Sequence, residues 1–324
     1  VTAKWVVTGA AGFIGSHVCD RLVGSGDEVI GIDNFDPFYA RDIKERNLAG
    51  VLGAKTFRLL DLDCATTDLP WSGVHGVLHL AAKAGVRPSL DDPVAYVEAN
   101  VRATARLLDG ARRAGVKRMV FASSSSVYGN DTPAPFKEDA TADAPISPYA
   151  ASKRGAELMA RAFAHLYGMR IACVRYFTVY GPRQRPDLAI HRFTRAIARG
   201  EAIKMFGDGS AERDYTFISD VVDGTLAALE WTGQPTAADR GEARVFNIGG
   251  GERVRLDRLI DLIGRALHTS PRIERAPMQA GDVELTAADL SRSAAELGYR
   301  PRVGIEEGIR QFVTWYEGAY GRQS

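Results

Sequence analysis

VVTGAAGFIGSH, residues 6–17, decides how the rest of the chain is read. An apolar, β-branched run that starts at Lys4 leads straight into Gly9, Gly12 and Gly15, and a helical pattern opens behind them. Glycines at these points permit a tight turn and let a backbone approach a pyrophosphate closely, while the helix N-terminus offers N–H donors and positive potential. A glycine triplet alone is weak evidence. Here the strand before it and the helix after it supply the context the motif needs. An independent sign follows: the second apolar run ends in Asp33, eighteen residues after Gly15, where a carboxylate accepts hydrogen bonds from adenosine ribose hydroxyls. A negative charge there disfavours a 2′-phosphate, so the expected cofactor is NAD rather than NADP.

The chain around this turn has 324 residues, 45% hydrophobic and 25% charged, enough for one large α/β domain or two lobes. Its 41 Lys+Arg against 40 Asp+Glu leave a net charge of +1. That balance gives no general attraction to nucleic acid or membrane, so neither is an expected partner. Cys19, Cys64 and Cys173 are widely spaced in apolar surroundings, without CxxC or metal-ligand spacing, and read as buried thiols in a reducing compartment. The apolar start at residues 5–7 is far shorter than a signal-peptide core or membrane span, which makes the cytoplasm the expected location.

Short apolar runs alternate with helical patterns through the first half, the form of a parallel sheet covered by helices. Strands are predicted at 4–8, 28–33, 56–61, 76–81, 118–124 and 170–176, with helices over 100–114 and 148–167 among others. From about residue 178 the order gives way to loops around YGPRQRPDL, then a helix near 191–199 and the strand-like IKMFG. RVFNIGG at 244–250 reads as a strand returning to the main sheet, so the second lobe is discontinuous. The expected fold is a Rossmann-type doubly wound parallel sheet with a smaller α/β lobe. Residues 1–176 plus about 214–250 would form the NAD-binding domain, and about 177–213 plus 251–324 the substrate lobe. The polar segment 232–242 is the expected mobile loop. His75 and His79 share a strand face, but no carboxylate or cysteine stands at ligand spacing, so no metal is expected.

SPYAASKRGAELM, residues 147–159, puts Tyr149 and Lys153 four apart on one helix face. Upstream, FASSSSVYG shows Ser124 and Ser126 on one side if the extended spacing continues. TGAAGFIGSH, the serine run and YAASK together resemble the extended short-chain dehydrogenase/reductase family, in particular its nucleotide-sugar epimerases and dehydratases. The resemblance continues through RYFTVYGPRQ, ERDYTFISDV, NIGGG and LGYRP, across nearly the whole chain.

The resemblance implies a catalytic base in Tyr149, with Ser124 hydrogen-bonding the reacting oxygen and Ser126 as the alternative serine. A free phenol has a pKa near ~10 and needs positive charge nearby to act as a base, which Lys153 and an oxidised nicotinamide would supply. On the cofactor side it adds Phe13, Ile14, Asn34, Asp61, Leu62, the Leu80, Ala81, Ala82, Lys83 turn, Asn100 and Tyr176. DNFDPFYARDIKERNLAG, KAGVRPSL, RYFTVYGPRQRPD and MQAGDV resemble most closely the members acting on UDP-glucuronate. The position of Thr178, an Asn in many relatives acting on neutral sugars, is here a smaller hydroxyl. A sugar carboxylate needs donors, and Thr178, Arg185 and Arg87 are the candidates. Arg183 and Arg185 equally read as loop solvation or phosphate contacts. Ser125, between the two other serines, replaces the acidic residues that dehydratases and decarboxylases carry. Arg213 is implied for phosphate, Met205 and Phe206 for the uracil or simply for core, and Gln279 and Asp282 for ribose. A UDP-sugar substrate and a homodimer complete the expectation, the dimer resting on helices 100–114 and 148–167.

Overall fold

The computed structural model describes residues 2–234, 241–277 and 285–321. Among the described residues twelve strands run in chain order: β1 (Lys4–Thr8), β2 (Glu28–Asp33), β3 (Phe57–Asp61), β4 (Gly76–His79), β5 (Arg118–Ser124), β6 (Arg170–Tyr176), β7 (Thr178–Tyr180), β8 (Ala202–Phe206), β9 (Glu212–Phe217), β10 (Glu242–Ile248), β11 (Arg253–Arg255) and β12 (Arg272–Ala276). Seven form one sheet in the order β10-β6-β5-β4-β1-β2-β3, every neighbour parallel. Parallel strands need both faces covered, and the burial shows it: Val6 belongs to one hydrophobic core and its neighbour Val7 to the other. The strand order reverses beside β1. In such a sheet the crevice at the carboxyl ends beside the reversal is where a ligand fits.

After β7 the chain leaves the main sheet. β7 pairs in parallel with β9, which pairs antiparallel with β11, and β8 pairs in parallel with β12. The helix Ile218–Trp231 then packs back against the helix Phe13–Gly24 and strands β5 and β6, and β10 adds itself to the sheet beside β6. The return to the main sheet therefore begins at Ile218, since β9 up to Phe217 belongs to the small sheet.

Two expectations change in detail. The helix foreseen over 100–114 is a π-turn, Val97–Arg102, followed by the helix Ala103–Arg113; π-turns concentrate at functional sites. Thr232, foreseen at the start of a mobile loop, is buried, its Oγ1 donating to the Leu229 carbonyl and accepting from Arg118 Nε. Residues 235–240 of that segment lie outside the described residues.

His191, on the helix Ala189–Ala198, fixes the small lobe to the C-terminal helix Ile305–Tyr320. Its ring centroid lies 5.3 to 6.1 Å from those of Phe312, Trp315, Tyr316 and Tyr320, and neither ring nitrogen has a hydrogen-bond partner among the described residues. Burial, helped by the Arg195 charge, lowers its pKa to about 4. Between the ordinary histidine range and that value the unfolded chain binds a proton the folded chain refuses, so this residue costs stability as pH falls. His191→Phe keeps the edge-to-face packing and removes the cost. Going from about pH 7.5 to pH 5, the wild type should lose roughly 2 kcal/mol more than the variant in urea unfolding. Equal losses in both proteins would mean that His191 titrates as an ordinary histidine.

Candidate active site

A cavity of about 630 Å³ opens at the carboxyl ends of the main-sheet strands and extends to the small lobe. Its first end is the glycine turn. Gly9 sits at φ +70°, and a Cβ there would lie 2.7 Å from the Ala81 nitrogen. The turn is closed by Gly12 N–H donating to the Gly9 carbonyl at 3.0 Å. Gly12 caps the helix Phe13–Gly24 without a side chain, and Phe13, Ile14 and Gly15 line the cavity, which leaves the first-turn donors to a ligand.

Asp33 ends β2 at the next edge of the cavity, buried, its Oδ2 accepting from Ala11 N–H at 3.0 Å and its Oδ1 from Phe35 N–H at 2.9 Å. A carboxylate has about four acceptor sites, so two more remain for ribose hydroxyls. Lys44, which no spacing singles out, stands 3.5 Å from Asp33 Oδ1. Turn and carboxylate together fit the phosphate and ribose of a dinucleotide.

The wall opposite is the segment Leu80 to Lys83, held by a chain of hydrogen bonds with one consistent direction. Thr104 Oγ1 donates to the Asn100 carbonyl, so it accepts from His79 Nε2–H; Thr8 Oγ1 donates to His79 Nδ1 and accepts from Ala81 N–H. Burial lowers the His79 pKa to about 3, in keeping with this neutral tautomer. Asn100 is not a cavity residue as expected. Its side chain accepts from Lys83 N–H and donates to the Lys83 carbonyl and Ser152 Oγ, bracing the wall from behind. Asp61 also lies off the cavity, exposed and paired with Arg41 at 2.8 Å. Asn34, Leu62, Ala82 and Tyr176 line it, and Lys83 pairs with Asp36 at 3.0 Å.

At the centre, the helix Pro148–Tyr167 begins with Ser147 capping Ala150 N–H and Pro148 in the first turn. That start aims Tyr149 and Lys153 into the cavity. β5 ends at Ser124, and Ser125–Tyr128 is a 3₁₀ turn, so the two serines meet by a tight turn and not by strand alternation: their Oγ atoms are 2.8 Å apart. Burial raises the Tyr149 pKa, against a lowering by Ser124 and by the Arg185 charge. Lys153 Nζ donates to the Ala122 carbonyl at 2.8 Å, and burial lowers its pKa to about 7. Arg185 is thus one cation acting on the phenol, a role the sequence did not give it.

Glu157, one turn beyond Lys153, was not foreseen. Buried, it accepts from Ser123 Oγ, from Arg175 Nε and Nη2, and from Arg154 Nη1 at 2.5 to 3.0 Å. This cluster ties β5, β6 and the catalytic helix together directly behind Ser124 and Tyr149.

At the far end, Ser125, Thr178, Arg185 and Arg213 line the cavity. The two arginines of the loop part company. Arg183 turns back to Asp20 at 2.7 Å, beside His17, whose Nε2 meets the Pro182 carbonyl at 3.0 Å. Arg185 turns inward, its guanidinium 5.2 Å from the Phe38 ring centroid. Arg87, expected among the carboxylate donors, is exposed and lies over the Phe206 ring at 5.4 Å, outside this cavity. Met205 is 2% exposed and belongs to the core, and Phe206 does not line the cavity. Gln279 and Asp282 lie outside the described residues. Among the described residues, no group of three or more His, Cys, Asp or Glu could hold a metal ion, and no helix is long and apolar enough to cross a membrane.

Comparison with known proteins gives the same frame. The chain is 39% identical over 317 residues to a UDP-glucuronate 4-epimerase of Thermodesulfobacterium geofontis, covering 96% of this chain and 95% of the relative. It is 37% identical over 335 residues to a probable UDP-glucuronate 4-epimerase of Rhizobium meliloti, covering 98% of each. A crystal structure of UDP-glucuronic acid 4-epimerase from Bacillus cereus, in complex with UDP-glucuronic acid and NAD, superimposes with a TM-score of 0.91 at 34% identity, over 98% of this chain and 100% of the other. Residues 5–249, from the first strand to the loop after β10, match the model of one family, and the fold and the full-length likeness agree with it: the chain belongs to the NAD dependent epimerase/dehydratase family.

Proposed function

We propose that this protein is an NAD-dependent UDP-glucuronate 4-epimerase, interconverting UDP-glucuronate and UDP-galacturonate. The observation that carries the reading is a single cavity with the glycine turn and Asp33 at one end, Ser124 and Tyr149 at the centre, and Thr178 and Arg185 at the other. The near-full-length likeness to UDP-glucuronate 4-epimerases supports the choice of sugar. In this reading residues 1–176 with about 218–250 hold the cofactor, and about 177–217 with 251–324 hold the sugar nucleotide.

Gly9, Gly12, Phe13, Ile14 and Gly15 take the pyrophosphate, Asp33 the ribose, and the Leu80–Lys83 wall the nicotinamide end. When bound, NAD⁺ supplies the reversible hydride acceptor for the sugar carbon. Tyr149 takes the C4 hydroxyl proton as that carbon is oxidised and returns a proton on reduction. Ser124 hydrogen-bonds the same oxygen, with Ser126 holding Ser124 in place. Inversion follows when the 4-keto sugar turns before it is reduced, so the cofactor is regenerated in each cycle. Arg213 binds phosphate.

The carboxylate carries a hazard. A 4-keto uronate is a β-keto acid, which loses CO₂ when its carboxylate C–C bond aligns with the carbonyl π system. We assign Thr178 and Arg185 to hold the carboxylate out of that alignment. Arg185→Ala should release UDP-pentose beside UDP-galacturonate, with little change in KM because Arg185 is already paired with Asp187. Product analysis of Arg185→Ala and Thr178→Ala decides it: two variants that release no pentose remove both residues from the role.

A homodimer fits the exposed apolar side chains Leu90, Val94, Val97, Leu158 and Leu166 on and beside the two helices named for it. The direct test of function is to incubate the purified protein with UDP-glucuronate, without added NAD, and resolve the products by NMR. UDP-galacturonate alone supports the reading and a retained cofactor. Conversion of UDP-glucose alone, even with NAD supplied, replaces it with a neutral-sugar epimerase.

A further inference from the structure

Arg185 reaches the cavity already paired. Its Nε donates to Asp187 Oδ1 at 2.9 Å and its Nη2 to Oδ2 at 2.7 Å, a two-bond carboxylate contact within the chain. The backbone beneath is fixed. Gln184 is buried with its Nε2 on the Val179 carbonyl, Leu188 N–H donates to the Arg185 carbonyl, and Arg183 is tied to Asp20. The Arg185 side chain is 17% exposed and that of Asp187 36%. Of the two partners, the carboxylate is the one free to swing into solvent.

We propose that Asp187 is a specificity-determining residue that occupies Arg185 in place of the sugar carboxylate and limits how tightly that carboxylate is held; this rests on the uronate reading above. The pair is neutral, so Arg185 offers an incoming anion no unopposed charge. Exchange of Asp187 for the substrate replaces one arginine–carboxylate pair by another of the same kind, which is close to even in free energy. The gain from a charge-assisted contact is thereby mostly cancelled in the ground state. That suits an epimerase. The sugar must turn between oxidation and reduction, and a carboxylate clamped by an unopposed guanidinium would resist turning; binding shared equally by all states does not raise turnover.

The test is Asp187→Asn, which keeps the size and can still accept one hydrogen bond, with Asp187→Ser as a second variant. Calorimetry with UDP-glucuronate should show about tenfold tighter binding in both variants, with Kd for UDP within twofold of wild type. Turnover of UDP-glucuronate should fall about tenfold or more. Tighter substrate binding with slower turnover is a split that a merely structural role does not produce, since loosening the loop would weaken binding. Unchanged or weaker UDP-glucuronate binding, or an equal shift for UDP, overturns the proposal. The wild type is measured first: if it converts only UDP-glucose, the uronate reading fails and the exchange with it, whereas an active wild type with an unaltered Asp187→Asn variant overturns the exchange alone.

Discussion

Tyr149→Phe will lower turnover of UDP-glucuronate by about 10³-fold or more, the range expected for loss of a general base, while cofactor content and substrate affinity stay near wild type. The substitution removes one oxygen and no ring. The ring keeps its edge-to-face contact with Tyr96, 6.1 Å between centroids, and Ser124 keeps Ser126 as a partner at 2.8 Å. No cavity and no orphaned buried group result, so the fold has little reason to weaken. Chemistry is another matter. Among the described residues lining the cavity there is no histidine, the serines are far weaker bases than a phenolate, and Asp187 is engaged by Arg185. A variant with normal NAD content that keeps more than about a tenth of wild-type turnover removes Tyr149 from the role of base.

The electrostatics add a pH signature to the same experiment. Burial pushes the Tyr149 phenol up, with Ser124 and Arg185 pulling the other way. A base whose pKa stays above neutrality is mostly protonated at pH 7, so wild-type kcat/KM should climb as pH rises. The residual rate of Tyr149→Phe should lack that limb. Lys153, lowered to about 7 by burial and held on the Ala122 carbonyl, anchors the catalytic helix to β5.

How much of this was legible follows from what each feature demands. Strands β1, β2, β5 and β6 fall where the sequence predicts them because each is an apolar run buried on both faces. β4 ends at His79, two residues early, because after one last backbone bond from Leu80 N–H to the Thr8 carbonyl the chain turns to a side chain, Ala81 N–H to Thr8 Oγ1. Strands β7 and β11 were unreadable; three residues carry no periodicity. Within the site, Gly9, Gly15, Asp33, Tyr149 and Lys153 were legible because each chemical role needs one residue type at a fixed spacing. Contacts between distant residues were not: Ser123 meets Glu157 across 34 positions and Arg175 meets it across 18. Resemblance supplied Asn100 and Asp61 as positions but not the side of the wall they occupy. Of Arg183 and Arg185, two residues apart, the sequence named Arg185 for the carboxylate, and the structure adds what turns Arg183 away, a φ of +65° and a bond to Asp20.

Gly15→Ala should abolish cofactor retention, weakening NAD by more than about 100-fold, and destabilise the fold by roughly 3 kcal/mol, the upper end for overpacking. Helix propensity argues the reverse. Gly15 lies in the helix Phe13–Gly24, where alanine is favoured over glycine by roughly 0.8–1 kcal/mol. Geometry decides the sign. A Cβ on Gly15 would stand 2.0 Å from the Gly9 carbonyl oxygen and 3.1 Å from Ala10 Cα. Neither neighbour can yield cheaply, since Gly9 accepts from Gly12 N–H and Ala10 N–H donates to the Ile32 carbonyl. Relief must therefore open the turn on which the pyrophosphate would rest. Gly24, at the other end of the same helix, is the control: nothing lies within 4 Å of a Cβ there, so Gly24→Ala should show only the propensity gain, up to about 1 kcal/mol. Thermal melts and nucleotide released on denaturation separate the two. If Gly15→Ala kept its NAD and melted with the wild type, the turn would be soft, and the close approach of strand, helix and cofactor would not be what the glycine is for.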